Sequence, residues 1–274
     1  MPASGRVVRV GAVMYDPKVS VIWEIIRNFF DDQGAPIDVS FYSTYELQND
    51  ALMAGTIDIA WNSPLAWLDA QRRSGGTCRA VAMRDTDRDR TSHIVARTDG
   101  PIRAIEDLRG HTLAVGAADS PQATLIPLGR LRQADIEPHR DLTIVRHDVL
   151  VGKHGDHVGG ELDAFASLAR GVAHACAMLD LNWSAWTSDG TVDPNAFQIV
   201  ASTDRFDHCV FTVREALDAR AERTWLDALF AMRYDEPSHR GMMDLEGLKA
   251  WLPGRTSGFE ALSASVAAER VFTA

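Results

Sequence analysis

Two strand-like runs of this 274-residue chain end in the same way. The run IDIAW at 57–61 passes into Asn62-Ser63-Pro64, and HTLAVGAAD at 111–119 passes into Ser120-Pro121; a helix-like run follows each. Serine is a preferred N-cap, and proline suits the first helical position, where its missing N–H is no loss. Both junctions therefore predict a strand feeding a helix at the C-terminal edge of a sheet, where open α/β sheets hold ligands. A helix N-terminus carries roughly half a unit of positive charge and unsatisfied donors, so it attracts phosphate-like or carboxylate groups without a lysine. Two such ends, about sixty residues apart, predict one ligand held between two lobes.

The length fits two α/β lobes better than one core with long loops. A net charge of −10 and a pI near 5.3 argue against nonspecific nucleic-acid binding or an anionic membrane surface. Any anion must then be recognised locally. The opening MPASGRVVRVGAVMYDP enters a strand-like run without the apolar stretch and cleavage site of an export signal, so the reading is cytoplasmic. No segment is long enough to span a membrane. Cys78, Cys176 and Cys209 are odd in number and form no CxxC pair, which predicts reduced thiols and no cysteine-rich zinc site.

Along the chain, 6–14 reads as a strand and 19–30 as a helix. A strand at 37–42 follows, and Ser43 with Glu46 makes a capping-box pattern before a helix ending near Gly55. The strand at 57–61 and the first Ser-Pro helix come next. Runs 80–83 and 93–96 read as a pair of strands around the charged stretch RDTDRDR, taken as a solvated loop. From Ile102 the pattern begins again: a short helix, the strand HTLAVG, the second Ser-Pro helix, LTIVRH, a glycine- and histidine-rich turn, a helix through Leu168 and a strand at 173–179. Runs 197–201 and 210–213 are expected to return the chain to the first lobe, with helices at 214–233 and 245–251 packed on it. The expectation is mostly parallel sheets, with lobe 1 at 1–101 and 203–274, lobe 2 at 102–202, and hinges near 97–103 and 201–208.

The densest polar stretch is RHDVLVGKHGDHVGGELDAF, holding His147, Asp148, Lys153, His154, Asp156, His157 and Glu161. His154 and His157 have metal-ligand spacing, with Asp156 or Glu161 as a third donor. The surrounding glycines make this a turn, however, and no metal or cofactor is assigned. His157 at a helix N-terminus is better read as an anion donor or a general acid–base. Asp180, Asn182 and Trp183 follow an apolar strand and are expected at its end, where an acid meets a ligand amine. Trp61 and Asn62 sit at the corresponding edge of the first lobe, with Tyr42 and Ser43 one strand earlier; Trp67 reads as core. His208 adjoins Cys209, and strand alternation would point them to opposite faces, so Cys209 is taken as a buried structural thiol and His208 as a cleft candidate.

The order GAVMYDP, AGTIDIAWNSPLAWLDA, IEDLRGHTLAVGAADSPQATLIPL and HGDHVGGELDAFASLARGVAHACAMLD resembles the phosphate/phosphite/phosphonate-type solute-binding proteins, across most of 6–213. The resemblance implies an α/β, two-lobed type 2 periplasmic-binding-protein-like fold with a hinge and an interlobe cleft. It implies ligand contacts from Tyr15, from the Ser120/Gln122/Thr124 turn, from His157, and from Asp180 with Asn182. Here the family's adjacent serines and threonines are replaced by Ser-Pro-Gln-Ala-Thr, with fewer hydroxyls. The leading expectation is a binding protein closing around a small anion or zwitterion (phosphonate, sulfonate or carboxylate), held at Ser63 and Ser120 and walled by Tyr15 and Trp61. A second is a cytoplasmic enzyme on the same scaffold, with His157 as acid–base and Glu161 or Asp180 as its partner. A third is a sensor whose closed form binds another protein.

Overall fold

The chain alternates strands and helices over residues 8–84 and again through most of its middle part. In order it runs β1 (Val8–Val13), α1 (Lys18–Asp32), β2 (Ile37–Tyr42), α2 (Tyr45–Met53), β3 (Ile59–Asn62), α3 (Pro64–Arg73) and β4 (Arg79–Arg84). Then come β5 (Ser92–Arg97), β6 (Thr112–Val115), α4 (Ile126–Gln133), α5 (Pro138–Asp141), β7 (Thr143–Arg146), α6 (Gly159–Ala169), β8 (Ala175–Leu179), α7 (Asp180–Ser188) and β9 (Phe197–Ser202). The last part is β10 (Val210–Val213), α8 (Ala219–Phe230), α9 (Pro237–Glu246), β11 (Trp251–Pro253) and α10 (Glu260–Glu269). This computed structural model describes residues 7–155 and 159–272. The described residues divide into unit 1, 7–88 and 207–257, and unit 2, 89–155, 159–206 and 258–272. Among the described residues no helix is long and apolar enough to cross a membrane.

Unit 1 holds a six-stranded sheet in the order β11-β4-β10-β3-β1-β2. Its β1 pairs in parallel with β2 and β3, because helices α1 and α2 carry the chain back between them. The returning β10 runs antiparallel to β3 and β4, and β11 antiparallel to β4. On α1, Val19, Ile22, Trp23, Ile26, Phe29 and Phe30 recur at helical spacing and bury one face against a core that includes Phe211, Trp225 and Trp251. Three local expectations are corrected. The cap of α2 is Thr44, whose hydroxyl accepts the Leu47 N–H at 3.3 Å, and not Ser43. The helix expected at 245–251 ends instead at Glu246, because Gly247 adopts the left-handed conformation that closes a helix; Trp251 then starts a strand. The charged stretch after β4 is also no solvated loop, since Asp87 is buried.

Unit 2 holds a five-stranded sheet in the order β7-β6-β8-β5-β9. Again the middle is parallel, β6 with β7 and β8, while β5 runs antiparallel to β8 and β9. Alternate residues of its strands feed two cores. Ile94, Leu113, Ala175 and Ala177 pack with Leu128 and Leu131 of α4 on one face. Val95, Ala114, Cys176 and Met178 pack with Ala164, Phe165 and Leu168 of α6 on the other. Both faces are covered, so these strands read as continuous apolar runs. The boundaries differ from those expected: β5 belongs here through its pairing with β8 and β9, which moves the first crossing to 88/89, ahead of 97–103. Residues 258–272 also belong here, with α10 lying so close to α4 that a Cβ on Gly129 would collide with the Ser265 hydroxyl.

Candidate functional site

The Ser-Pro turn of unit 2 carries the most polar groups with work still to do. After β6, Ser120 caps the turn by accepting the Ala123 N–H at 3.2 Å. Residues Pro121–Leu125 then form a wide helical turn, with the Leu125 N–H on the Ser120 carbonyl at 2.9 Å, before α4 continues it. Ser120, Gln122 and Thr124 are all buried. The Gln122 amide donates to the Gly155 carbonyl at 3.1 Å, and the Asp119 carboxylate accepts the Gly152 N–H at 2.6 Å. The glycine- and histidine-rich loop is thereby tied to the turn. Gly155 is required there: its φ is +60° and a Cβ would sit 2.7 Å from that of Ser120. Burial raises the Asp119 carboxyl above the ordinary carboxylate value, with the Gly152 N–H acting against it.

Among the described residues, Gln122 Oε1 and Thr124 Oγ1 have no hydrogen-bond partner. Leaving a buried polar atom unmade costs about 1–3 kcal/mol, a cost that a bound water, ion or ligand removes.

Glu161, on the first turn of α6, is buried. One of its oxygens accepts both the Leu179 N–H and the Asn182 amide at 2.7 Å, joining α6 to the start of α7. Asn182 therefore has its amide on Glu161. Asp180 is half-exposed with its carboxylate 3.6 Å from the Arg90 guanidinium, and its N–H bonds to the Thr91 carbonyl. Trp183 packs on the core around Phe165 and Trp186. His147 meets the Ser167 hydroxyl at 3.0 Å. His157, the expected acid–base, lies outside the described residues.

In unit 1 the parallel strands bring Tyr15, Tyr42 and Ser63 to one sheet edge. Tyr15 is half-buried against the core. Tyr42 packs on Val13, Tyr45 and Ala66, and its carbonyl accepts the Met14 N–H at 2.8 Å; burial raises its phenol. Ser43 is exposed. Ser63 caps α3 through the Ala66 N–H at 3.2 Å. Two candidates are corrected. Trp61, expected to wall the ligand, is a core side chain, 4.5 Å from Phe211 and 5.8 Å from Trp251 between ring centroids, with Arg84 over its face. Asn62 is also buried: its amide accepts from Gln48 at 2.7 Å and donates to Asn49 at 3.2 Å and Thr212 at 3.1 Å. Its polarity is spent inside the unit.

His208 and Cys209 precede β10 in irregular backbone, so strand alternation does not separate them. His208 Nδ1 lies 3.1 Å from Cys209 Sγ and 3.6 Å from Asp87 Oδ1. Asp87 in turn is forked by Arg84 at 2.7 and 2.8 Å. Burial pushes the Asp87 carboxyl up, but Arg84 and His208 outweigh it and hold it well below the ordinary range. The sequence signal for this pair is only an Arg and an Asp three residues apart, which any exposed turn also shows.

The family described as "ABC transporter, phosphonate, periplasmic substrate-binding protein" matches residues 16–264. A curated relative, an uncharacterized protein of Haemophilus influenzae, is 42% identical over 40 residues, 15% of this chain and 56% of that protein. The match thus spans little more than half of that relative's length. Among solved structures, XAC2383 of Xanthomonas citri bound to ATP is 19% identical with a TM-score of 0.76, over 98% of this chain and 100% of that one. PhnD1 of Prochlorococcus marinus in complex with methylphosphonate is 15% identical with a TM-score of 0.72, over 96% and 98%. The periplasmic aliphatic sulphonate binding protein SsuA of Escherichia coli is 17% identical with a TM-score of 0.62, over 98% and 92%. These likenesses establish the fold, two α/β units of the periplasmic-binding-protein kind. With the family match covering nearly the whole length, the chain belongs to the family of periplasmic substrate-binding proteins of phosphonate ABC transporters.

Proposed function

We propose that this protein binds one small anion or zwitterion of the phosphonate, sulfonate or carboxylate kind at the Ser120–Thr124 turn, and delivers it to membrane components of a transporter. The observation that carries this is the pair of buried atoms, Gln122 Oε1 and Thr124 Oγ1, without partners among the described residues. They stand at the start of a helix that runs on through α4. An anionic oxygen accepts from the Thr124 hydroxyl and gains from the positive helix end. A protonated oxygen or an amine on the same ligand donates to the Gln122 carbonyl. Ligands of this class appear in the names of the structural relatives, methylphosphonate with PhnD1 and aliphatic sulphonates with SsuA. Unit 1 offers a second edge of similar make, with Ser63 at the start of α3 and Tyr15 and Tyr42 at neighbouring strand ends.

The test is calorimetry of purified protein with methylphosphonate, ethanesulfonate, inorganic phosphate and acetate. The reading expects one-to-one binding of at least one probe, weakened about tenfold or more in Thr124→Val, a loss of about 1.4 kcal/mol. Tyr15→Ala reports whether the unit 1 edge contributes. The proposal falls if no probe binds, if Thr124→Val binds as well as the wild type, or if the bound probe is chemically consumed.

A further inference from the structure

We infer that Asp87, His208 and Cys209 form a binding site in unit 1 for one thiophilic divalent cation, zinc(II) foremost. A carboxylate oxygen, an imidazole nitrogen and a thiol sulfur, one from each, lie within 4.8 Å of one another. Two of the separations are 3.1 and 3.6 Å. Ligand atoms held tetrahedrally around zinc at about 2.0–2.3 Å stand about 3.3–3.6 Å apart; the two separations from His208 lie within a few tenths of an ångström of that, and side-chain rotation that closes the Asp87–Cys209 separation, at most 4.8 Å, seats the ion. Thiolate, imidazole and carboxylate together suit zinc better than magnesium or calcium, which prefer oxygen alone.

The same three residue types in a row also suggest a nucleophilic relay, but the geometry argues against one. A relay needs the two imidazole nitrogens to serve different partners, one the thiol and one the carboxylate. Here the shortest approaches of both Cys209 and Asp87 are to Nδ1. A sulfur and a carboxylate oxygen gathered at the same imidazole nitrogen is an arrangement that a shared metal ion accounts for and a relay does not.

The surroundings are built to hold the donors. Arg84 holds Asp87 Oδ2 through Nε at 2.7 Å and its backbone N–H at 3.3 Å and Oδ1 through Nη2 at 2.8 Å, which leaves the second lone pair of Oδ1, the oxygen nearest His208, for a metal. Arg84 also meets Glu246 at 2.9 Å, so one guanidinium faces two carboxylates and the group keeps one excess negative charge. A divalent ion bound to the Cys209 thiolate cancels that excess. The His208 N–H bonds to the Asp87 carbonyl at 2.7 Å, which joins the two chain segments before any ion arrives. Asp87 and Cys209 are buried, whereas the His208 side chain is 14% exposed and gives the route in. On binding, the thiol proton of Cys209 leaves to solvent and the ion sheds water to make room for three protein ligands, keeping a fourth position for water.

The experiment uses the full chain without an affinity tag, stripped with a chelator and titrated with cobalt(II) and then zinc(II). One cobalt per chain is expected, with thiolate-to-cobalt charge-transfer absorption in the near ultraviolet, release of one proton, and displacement by zinc. Cys209→Ser should abolish the band and His208→Gln weaken binding at least tenfold, while Cys78→Ser and Cys176→Ser keep the band. Absence of the band in the wild type overturns the inference, and so does a band retained in Cys209→Ser. If Cys209→Ser fails to fold, the wild-type spectrum and the His208→Gln titration decide. The outcome is independent of anion binding at the Ser120–Thr124 turn.

Discussion

The side-chain amide of Gln122 donates to the carbonyl of Gly155 at 3.1 Å. That single bond fixes the amide plane, ties the wide turn after β6 to the glycine-rich loop, and leaves the opposite end of the amide without a partner among the described residues. One end of the side chain thus joins the Asp119–Gly152 bond in tying the turn to the loop, while the other end stays available.

If Gln122 Oε1 and Thr124 Oγ1 are reserved for a ligand, they should cost the unliganded protein stability. Thr124→Val should leave the melting temperature unchanged or raise it, while lowering anion affinity about tenfold or more. Opposed effects of this kind mark a functional site. Thermal unfolding with and without methylphosphonate measures both.

Asn62 should behave in the opposite way. Asn62→Leu strands the Gln48, Asn49 and Thr212 partners in the interior, and each buried polar group left unmade costs about 1–3 kcal/mol. A loss of roughly that size or more is expected in denaturant unfolding, and the folded variant should bind anions as the wild type does.

Thr44→Ala should destabilise by about 1 kcal/mol, the usual worth of an N-cap, whereas Ser43→Ala should fall within about 0.5 kcal/mol of neutral. Equal effects of the two substitutions on urea midpoints would contradict the cap assigned to Thr44.

His93 gives a pH dependence of definite sign. Burial lowers its pKa below the ordinary 6.5, with Asp180 acting weakly against this. The unfolded chain therefore binds the proton first as pH falls. The contribution is complete above pH 6.5 and is lost progressively as pH falls from there through the folded value. Urea unfolding of the wild type and His93→Gln between pH 8 and 5 should show a shallower decline in the variant.

Much of the fold was legible because its signals are local. The Ser63-Pro64 and Ser120-Pro121 junctions announce themselves through cap chemistry that needs only a few neighbouring residues. The burial of β8 on both faces shows as an unbroken apolar run, and that of β5 as the apolar centre Ile94–Ala96. The site was legible only in part. Gln122 and Thr124 were pointed to by the family resemblance alone, and that Gln122 would spend one end on Gly155 depends on where a loop thirty-three residues away comes to rest.

The sequence by itself determined where strands hand over to helices, and that two α/β units form, because periodicity and capping act over a few residues. Tertiary structure alone decided which polar side chains are spent and which remain. It put Trp61 and Asn62 inside, turned a charged stretch into the buried Arg84–Asp87 pair, and brought Asp87 to His208 and Cys209. Those outcomes follow from desolvation, which is set by what the folded chain packs against each group and not by the residues beside it in sequence.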